Sequence, residues 1–277
     1  MRRRLSAAFA AAALLGAGAA AAEPRQVSFP GRGGLTLTGW LYKPTTPGPH
    51  RALVALHGCA GLAGRDGRPS ARHGDWGERW AAAGLVALFP DSFASRGLGP
   101  QCKVKEREVR AGRERVEDAE AALKFLAARP DVEADAIALV GWSNGGSTTL
   151  YAVEPRRAPA GVDFARAVAF YPGCRALLEK GGWRSRLPLL LLIGEADDWT
   201  PAEPCAALIA EAKAQGDPVE IVIYPGAYHD FDHPGLPVHI TQGLAYTASG
   251  GGAAHSGTDA TARADAIARV TAALAGR

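Results

Sequence analysis

The stretch that decides the fold is residues 136–146, Ala-Ile-Ala-Leu-Val-Gly-Trp-Ser-Asn-Gly-Gly. It begins with a continuous apolar run, which is typical of a strand buried on both faces of a parallel sheet. The run leads directly into the G-x-S-x-G sequence Gly141-Trp142-Ser143-Asn144-Gly145, and a helix-like segment follows. Glycines on both sides of the serine permit a sharp turn that lifts its hydroxyl clear of the sheet. We therefore predict that Ser143 is a nucleophile, with a chance glycine-serine turn as the alternative.

Comparable apolar runs recur along the chain and alternate with helical patterns. The clearest helix is predicted for residues 106–129, where apolar residues repeat at helical spacing. Alternating apolar residues at 35–42 predict an early antiparallel strand. Because alternating strands and helices produce a parallel sheet, we predict one α/β domain over residues 23–277, without internal repeats or a separating linker. The other apolar runs lie at residues 52–56, 85–89, 165–170, 187–193 and 219–224.

An activated serine needs a carboxylate that orients its base. In a site built on a strand-turn-helix, the acid and then the histidine follow the serine along the chain. The apolar run at 187–193 is followed by Asp197 and Asp198, so both carboxylates stand at a predicted strand end. We assign the acid to Asp197, and the other aspartate would cap the helix that starts near Pro201.

The base is assigned to His229, which comes soon after the apolar run at 219–224. His233 and His239 are the competing histidines, since all three fall within a short segment. A metal cluster formed by these histidines is the other interpretation. The chain order Ser143, Asp197, His229 matches the order expected for a hydrolytic triad.

The tetrahedral intermediate of acyl transfer requires backbone N–H donors for its oxyanion. One donor is predicted to be the amide of Asn144, the residue after the nucleophile. The second should come from the glycine-rich turn at residues 57–61, which follows the run at 52–56, and we assign it to the amide of Cys59. His57 begins this turn, and we interpret it as a structural histidine that bonds to the turn's backbone.

The first 22 residues are predicted to be a secretory signal peptide. Arginines occupy positions 2–4, an uncharged Ala/Leu-rich stretch follows, and residues 20–22 offer a small-residue cleavage site. A membrane-spanning helix is the alternative, although alanine-rich sequence is weakly hydrophobic. After cleavage no membrane span is expected. Removal of residues 1–22 leaves 28 basic and 28 acidic residues, so the net charge changes from +3 to zero. A neutral chain does not favour nucleic acid as a partner.

At these motifs the chain resembles the dienelactone hydrolase family. The resemblance implies an α/β-hydrolase fold, an open and mostly parallel sheet of about seven or eight strands with helices on both faces. It also implies ester or lactone hydrolysis through an acyl-enzyme with Ser143, Asp197 and His229, and it favours Asp197 over Asp198. No cofactor and no metal are expected. The motifs are HGCAG at 57–61, PDSF at 90–93, GWSNG at 141–145, YPGC at 171–174, GEADDWTP at 194–201 and YHDF at 228–231.

The sequence departs from the family at several positions. The original dienelactone hydrolases use a cysteine where this chain has Ser143, and a glutamate where it has Gly58. They hold the substrate carboxylate with two arginines; Arg96 matches one loosely, and His233 stands where the second is expected. These two residues are therefore candidate substrate contacts. An apolar acyl pocket is predicted to be lined by Trp142, Trp199, Trp76 and Phe93.

We accordingly expect an exported hydrolase, periplasmic or secreted, that acts on a small-molecule ester or lactone. A peptidase or acyltransferase on the same fold, and a non-catalytic binding protein that retains the fold, are the alternatives. An oxidising compartment would allow two disulfides among the four cysteines. The implied strand order is compatible with bridges between Cys174 and Cys205 and between Cys59 and Cys102, but the sequence permits three pairings and does not choose among them.

Overall fold

An eight-stranded sheet runs through the computed structural model, which describes residues 23–275. In space the strands follow the order β1-β2-β4-β3-β5-β6-β7-β8. β1 and β2 are antiparallel, β2 also pairs antiparallel with β4, and all the other neighbours are parallel. The strands are β1 (Arg25–Pro30), β2 (Thr36–Tyr42), β3 (His50–Leu56), β4 (Val86–Pro90), β5 (Val132–Trp142), β6 (Arg166–Phe170), β7 (Leu189–Gly194) and β8 (Val219–Tyr224).

Helices cover both faces of this sheet, which confirms the predicted α/β-hydrolase fold and its antiparallel strand β2. None of the described helices is long and apolar enough to span a bilayer. The predicted signal peptide, residues 1–22, lies outside the described residues. The helices are α1 (Ala71–Ala82), α2 (Glu114–Ala127), α3 (Asn144–Ala152), α4 (Arg175–Lys180), α5 (Ala202–Ala214) and α6 (Ala260–Ala275).

The central strands are buried because helices cover their apolar residues from both sides. Ile137, Leu139 and Val140 in β5 are fully buried, as the continuous apolar run predicted. Aromatic rings fill the layer beside them, with the Trp142 ring 5.5 Å from that of Phe170. This rigid core fixes the positions of the loops at the carboxyl ends of the strands.

Helix α2 begins at Glu114, later than the predicted start at residue 106. Val109 belongs to the same apolar repeat, yet it is buried in the loop that precedes the helix. The Glu114 carboxylate accepts the amide N–H of Arg110 at 2.9 Å and its guanidinium as well, which holds this loop in a non-helical form. The apolar spacing therefore predicted the burial of Val109 correctly, but the predicted start of the helix was too early.

A hairpin that the sequence did not predict follows the last strand of the main sheet. β9 (His239–Gln242) and β10 (Ala253–Ser256) pair as an antiparallel two-stranded sheet. We call residues 236–258, which contain this hairpin, the arm. A glycine- and serine-rich turn connects the two strands.

Two disulfides join the four cysteines, in one of the three pairings that the sequence permits. Cys59 is bonded to Cys102, and Cys174 is bonded to Cys205. Cys59 lies just after β3, and Cys174 lies just after β6. Both bridges therefore fasten loops at the carboxyl edge of the sheet, where ligand sites of open α/β sheets form.

Candidate active site

Ser143 occupies the sharp turn between β5 and α3. Its φ is +52°, a conformation that side chains other than glycine rarely adopt. A Cβ on Gly145 would lie 2.1 Å from the carbonyl oxygen of Leu56, and one on Gly141 would lie 2.2 Å from the carbonyl oxygen of Gly145. Both flanking positions therefore require glycine, because the turn is pressed against β3 and against itself. The strand-turn-helix that the sequence indicated is present at this position.

Asp197 and His229 meet at the ends of two neighbouring strands. Asp197 follows β7, and its Oδ2 lies 2.7 Å from Nδ1 of His229, which follows β8. The amides of Trp199 and Thr200 donate to the other oxygen, Oδ1, at 2.9 and 2.8 Å. With Asp197 accepting from Nδ1–H, the ring keeps Nε2 free to act as a base. Asp198, the alternative acid, contacts a different histidine, His255.

The buried position of His229 has two opposing effects on its pKa. Burial disfavours the charged imidazolium, whereas the negative charge of Asp197 and the hydrogen bond to it favour that form. The carboxylate prevails, so the pKa of His229 is raised above its usual value. Such a pair can take up a proton from a neighbouring hydroxyl and stabilise the resulting charge. Of the competing histidines, His239 is exposed on the arm and His233 is half-buried.

The turn at residues 57–61 passes close to Ser143. A Cβ on Gly58 would lie 3.5 Å from Cβ of Ser143, and Cys59 lines the same cavity as Ser143 and Asn144. Within residues 23–275, the amides of Cys59 and Asn144 have no backbone acceptor. Two free N–H groups beside one serine hydroxyl are what an oxyanion hole requires.

Arg115 fastens the two loops that carry these amides. It is fully buried, and its guanidinium donates to Asn144 Oδ1 at 2.6 Å and to the carbonyl oxygen of His57 at 2.7 Å. Burial lowers its pKa to about 10, which still leaves it charged at neutral pH. The role of Arg115 was not predicted from the sequence. Its position next to Val116, which belongs to the apolar repeat of α2, indicates that it faces inward.

His57 has the structural role that the sequence predicted. Its Nε2 accepts the amide N–H of Ser92 at 3.2 Å, so Nδ1 carries the proton and donates to the carbonyl oxygen of Gly58 at 2.8 Å. Burial, aided by the charge of Arg115, lowers the pKa of His57 well below its usual value. The neutral ring therefore links the turn to the loop after β4.

A cavity of about 380 Å³ opens at Ser143, within the range of small-molecule sites. The described residues that line it include two charged side chains, the half-buried Arg107 and the exposed Arg175. The arm supplies one wall. The remaining lining residues include Cys59, Asn144, Ser147, Gly173, Cys174, Trp199, Thr200, Ala245, Tyr246, Thr247 and Ala248.

Trp199 is the predicted substrate contact that does line this cavity. Its ring centre lies 4.7 Å from that of His229, so it joins the cavity wall to the histidine. Trp142 does not face the cavity. It is fully buried, and its Nε1 donates to Asp232 at 2.8 Å, as does Nε1 of Trp76. Phe93 is also buried, packed 4.7 Å from His57 between ring centres. The predicted pocket role of these three residues is therefore wrong, because their side chains belong to the core.

Arg96 and His233 were also predicted to contact substrate, and neither lines the cavity. Both terminal nitrogens of Arg96 donate to the buried Asp118 at 2.8 Å, so the guanidinium is occupied by an internal ion pair. Burial lowers the pKa of His233, and the positive charge of Arg72 lowers it further. Its buried Nδ1 has no hydrogen-bond partner among residues 23–275. The arginines at the cavity, Arg107 and Arg175, were not identified from the sequence.

A buried charge network lies behind the histidine loop. The Arg72 guanidinium donates to Asp230, the neighbour of His229, and to the hydroxyl of Tyr171 at 2.9 Å. That hydroxyl donates in turn to Asp232 at 2.6 Å. Burial alone would raise the pKa of Asp230, but the positive charge of Arg72 lowers it to about 2. The network holds the chain immediately after His229 by charge-assisted bonds.

Comparison with known proteins agrees with this architecture. The model of the dienelactone hydrolase family matches residues 37–276. A dienelactone hydrolase-like promiscuous phosphotriesterase from metagenomic libraries is 22% identical, with a TM-score of 0.66 over 92% of this chain and 98% of that chain. No curated protein matches the sequence.

Two further solved structures share the fold. Esterase 2 of Thermogutta terrifontis, phosphoramylated by tabun, is 21% identical, with a TM-score of 0.58 over 76% of this chain and 86% of that chain. Acylaminoacyl peptidase of Pyrococcus horikoshii is also 21% identical, with a TM-score of 0.58 over 75% of this chain. This chain covers 38% of that longer peptidase.

Proposed function

Because the chain belongs to the dienelactone hydrolase family, we propose that it is a serine hydrolase that cleaves a carboxylic ester or lactone through an acyl-enzyme. The observation that carries the proposal is the Asp197–His229 pair at the strand ends, whose histidine packs on Trp199 in the wall of the cavity that Ser143 lines. The acid and the base follow the nucleophile in the order that this fold uses.

In the first half-reaction Ser143 Oγ attacks the ester carbonyl carbon while Nε2 of His229 accepts the hydroxyl proton. Asp197 stabilises the imidazolium that forms. The amides of Cys59 and Asn144 donate to the carbonyl oxygen as it becomes an oxyanion. When the carbon–oxygen bond to the alcohol breaks, His229 returns the proton to the departing alkoxide, and the acyl group remains on Ser143.

The second half-reaction repeats these roles with water as the nucleophile. His229 removes a proton from the attacking water, and the same amides stabilise the second oxyanion. Collapse of this intermediate releases the carboxylic acid and restores the serine hydroxyl. For a lactone, the alcohol and the acid belong to one product molecule, since the cleaved ester bond closes a ring.

The cavity supports a small-molecule substrate. Its volume of about 380 Å³, its Trp199 wall and its two arginines suit a compact ester with an apolar part. The structural neighbours include a protein described as an esterase and one described as a phosphotriesterase. Peptidase or acyltransferase activity, and binding without catalysis, are the competing functions. The experiment below separates the peptidase and the binding protein from the esterase.

Export is part of the proposal. We assign residues 1–22 to a cleaved signal peptide and residues 23–277 to a single catalytic domain, periplasmic or secreted. Two disulfides are compatible with an oxidising compartment. The proposed partner is the ester or lactone substrate.

The test is hydrolysis of short-chain p-nitrophenyl esters and matching p-nitroanilides by residues 23–277, beside Ser143→Ala. We expect ester turnover that falls at least about a thousandfold in Ser143→Ala, since the nucleophile is lost. The exposed serine variant Ser28→Ala should match the parent protein. Faster anilide cleavage would favour a peptidase. A folded parent protein that is inert on both, and equally inert as Ser143→Ala, would favour the binding protein.

A further inference from the structure

The second aspartate of the Asp197–Asp198 pair holds the arm rather than the catalytic histidine. The backbone N–H of His255 donates to Asp198 Oδ1 at 2.8 Å, and the ring Nδ1–H of His255 donates to Oδ2, also at 2.8 Å. The amide of Ala248 donates to the backbone oxygen of Asp198 at 3.0 Å. One aspartate thus fixes both β10 and the turn of the arm that lines the cavity.

The histidine loop supports the same end of the arm. The ring of His255 stacks on Tyr228, with 4.8 Å between centres and 22° between planes. The amide of Gly257 donates to the carbonyl oxygen of His229 at 2.8 Å. The arm is therefore fastened directly to the two loops that carry the proposed acid and base.

The far side of the arm rests on the disulfide loop. The amide of Ala245 donates to the carbonyl oxygen of Cys102 at 2.9 Å, and the Tyr246 hydroxyl donates to the carbonyl oxygen of Lys105. The guanidinium of Arg107 lies 5.1 Å above the Tyr246 ring. Because the arm reaches from the Asp198 loop to the Cys102 loop, it forms a wall across the cavity.

Polar contacts position this wall, because few of its apolar side chains are buried. Leu244 and Ala254 are buried, but Val238, Ile240 and Tyr246 are between 52% and 56% exposed. A segment with so little buried apolar surface has low local stability, and each anchoring bond contributes a large share of it. Losing an anchor therefore changes the mean position of the wall without unfolding the sheet.

We propose that Asp198 and His255 form a latch that positions the arm and thereby sets the acyl-chain size the cavity accepts. The proposal rests on the proposed esterase function, because it assigns specificity to the same cavity. Asp198 and His255 are positioning residues, since they act through residues 245–248 of the wall. Asp197 keeps its own bonds to the amides of Trp199 and Thr200, so opening the latch leaves the acid in place.

The experiment compares Asp198→Ala, His255→Ala and the double variant on butanoyl and octanoyl p-nitrophenyl esters. We expect KM for the butanoyl ester to rise about tenfold, with kcat changed less than about threefold, because one charge-assisted contact is worth that much. The ratio of octanoyl to butanoyl kcat/KM should rise about tenfold. The double variant should resemble either single variant, because both remove one interaction.

His239→Ala is the matched control. His239 lies on the opposite strand of the same hairpin, in register with Ser256, and its side chain is exposed. It should leave the acyl-chain ratio unchanged. A parallel loss on both esters in the latch variants, or an equal change in ratio in His239→Ala, would overturn the latch.

Hydrogen exchange tests the latch even if no ester is turned over. The amides of Ala248 and His255 are bonded through Asp198 in the parent protein. Asp198→Ala removes the acceptor of the His255 amide, which should exchange at least about tenfold faster, whereas the amides of β5 should not change. The Ala248 amide keeps its backbone acceptor, so faster exchange there reports displacement of the arm. Unchanged exchange in the arm would refute the latch whatever the activity, and absent ester hydrolysis with faster exchange would refute only the esterase.

Discussion

The contact between Asp197 and His229 determines the protonation state of the histidine ring near neutral pH. Because the carboxylate raises the pKa of the ring above its usual value of 6.5, a larger fraction of the base is protonated near neutral pH. The proposed reaction needs the neutral ring. Activity should therefore fall as the pH drops below the raised pKa of His229. The Asp197 carboxylate causes this pH dependence.

We predict that kcat/KM for a p-nitrophenyl ester rises with pH through a midpoint above 6.5. In Asp197→Asn the midpoint should move down, because the negative charge that favours the imidazolium is gone. The rate should also fall by about 10⁴, because the ring loses its orientation. The check is a pH–rate profile of both proteins, and an upward shift in Asp197→Asn would contradict the assigned pair.

The Arg72–Asp230 ion pair behind the histidine gives a stability prediction. Asp230→Asn leaves the buried Arg72 guanidinium charged without its counterion, so we expect a loss of about 3 kcal/mol in the free energy of unfolding. Glu117→Gln, which removes a partner of the exposed Arg32, should cost about 1 kcal/mol or less. Urea unfolding at neutral pH measures both, and equal losses would contradict the buried network.

The same pair has a defined pH dependence. The pKa of Asp230 is about 2 in the folded chain, below its value in an unfolded chain, so the carboxylate stabilises the fold above the unfolded pKa. That contribution is lost as the pH falls from about 4 towards 2. Parent protein and Asp230→Asn should therefore converge in stability over this window.

At the scale of elements, the sequence predicted the strands better than the connections. Each apolar run became a strand of the main sheet because a buried strand is a local pattern. The start of α2 was misplaced because Glu114 binds Arg110 across the boundary. The arm was missed because its strands are short, mostly exposed and held by contacts distant in sequence, such as Asp198 with His255.

The difference between local patterns and contacts distant in sequence also explains which residues of the candidate site could be predicted. Ser143, Asp197 and His229 could be proposed from the sequence because each lies at, or a few residues beyond, the carboxyl end of a strand. Arg115 and Arg72 were missed because their partners are distant in sequence and their charge indicated solvent. Arg96 and Trp142 were assigned to substrate because a sequence does not show that Asp118 and Asp232 occupy them.

The two disulfides allow a comparison at the level of loops. Replacing either pair by alanines should destabilise the protein by about 2–5 kcal/mol, since they close loops of similar separation, 43 and 31 residues. Only the Cys59–Cys102 bridge anchors a proposed oxyanion donor. We therefore expect kcat to fall more than about tenfold in the Cys59→Ala/Cys102→Ala variant and less in the Cys174→Ala/Cys205→Ala variant.

These kcat values must be measured at a temperature where both variants are folded, as checked by circular dichroism. Equal losses of kcat would remove the special role of the Cys59 loop. A larger loss from the Cys174–Cys205 bridge would place the sensitive loop beside Cys174, which also lines the cavity.

The net charge of the whole molecule depends on whether residues 1–22 are retained or removed. The full sequence carries a net charge of +3, and three arginines lie in the first four residues. If residues 1–22 are removed, the mature chain is neutral and its disulfides form after export. Expression of residues 1–277 should therefore yield an exported protein that begins at Glu23, which N-terminal sequencing checks. A membrane-bound product that retains Arg2 would favour an anchor instead.

The central claim is that Ser143 is activated by His229, and active-site labelling tests it most directly. A fluorophosphonate reacts with an activated serine hydroxyl, and peptide mass mapping then locates the adduct. We predict one adduct, on the peptide that contains Ser143. It should be absent in Ser143→Ala and should form much more slowly in His229→Ala. A folded protein that stays unlabelled, or that carries the label on another residue, would contradict it.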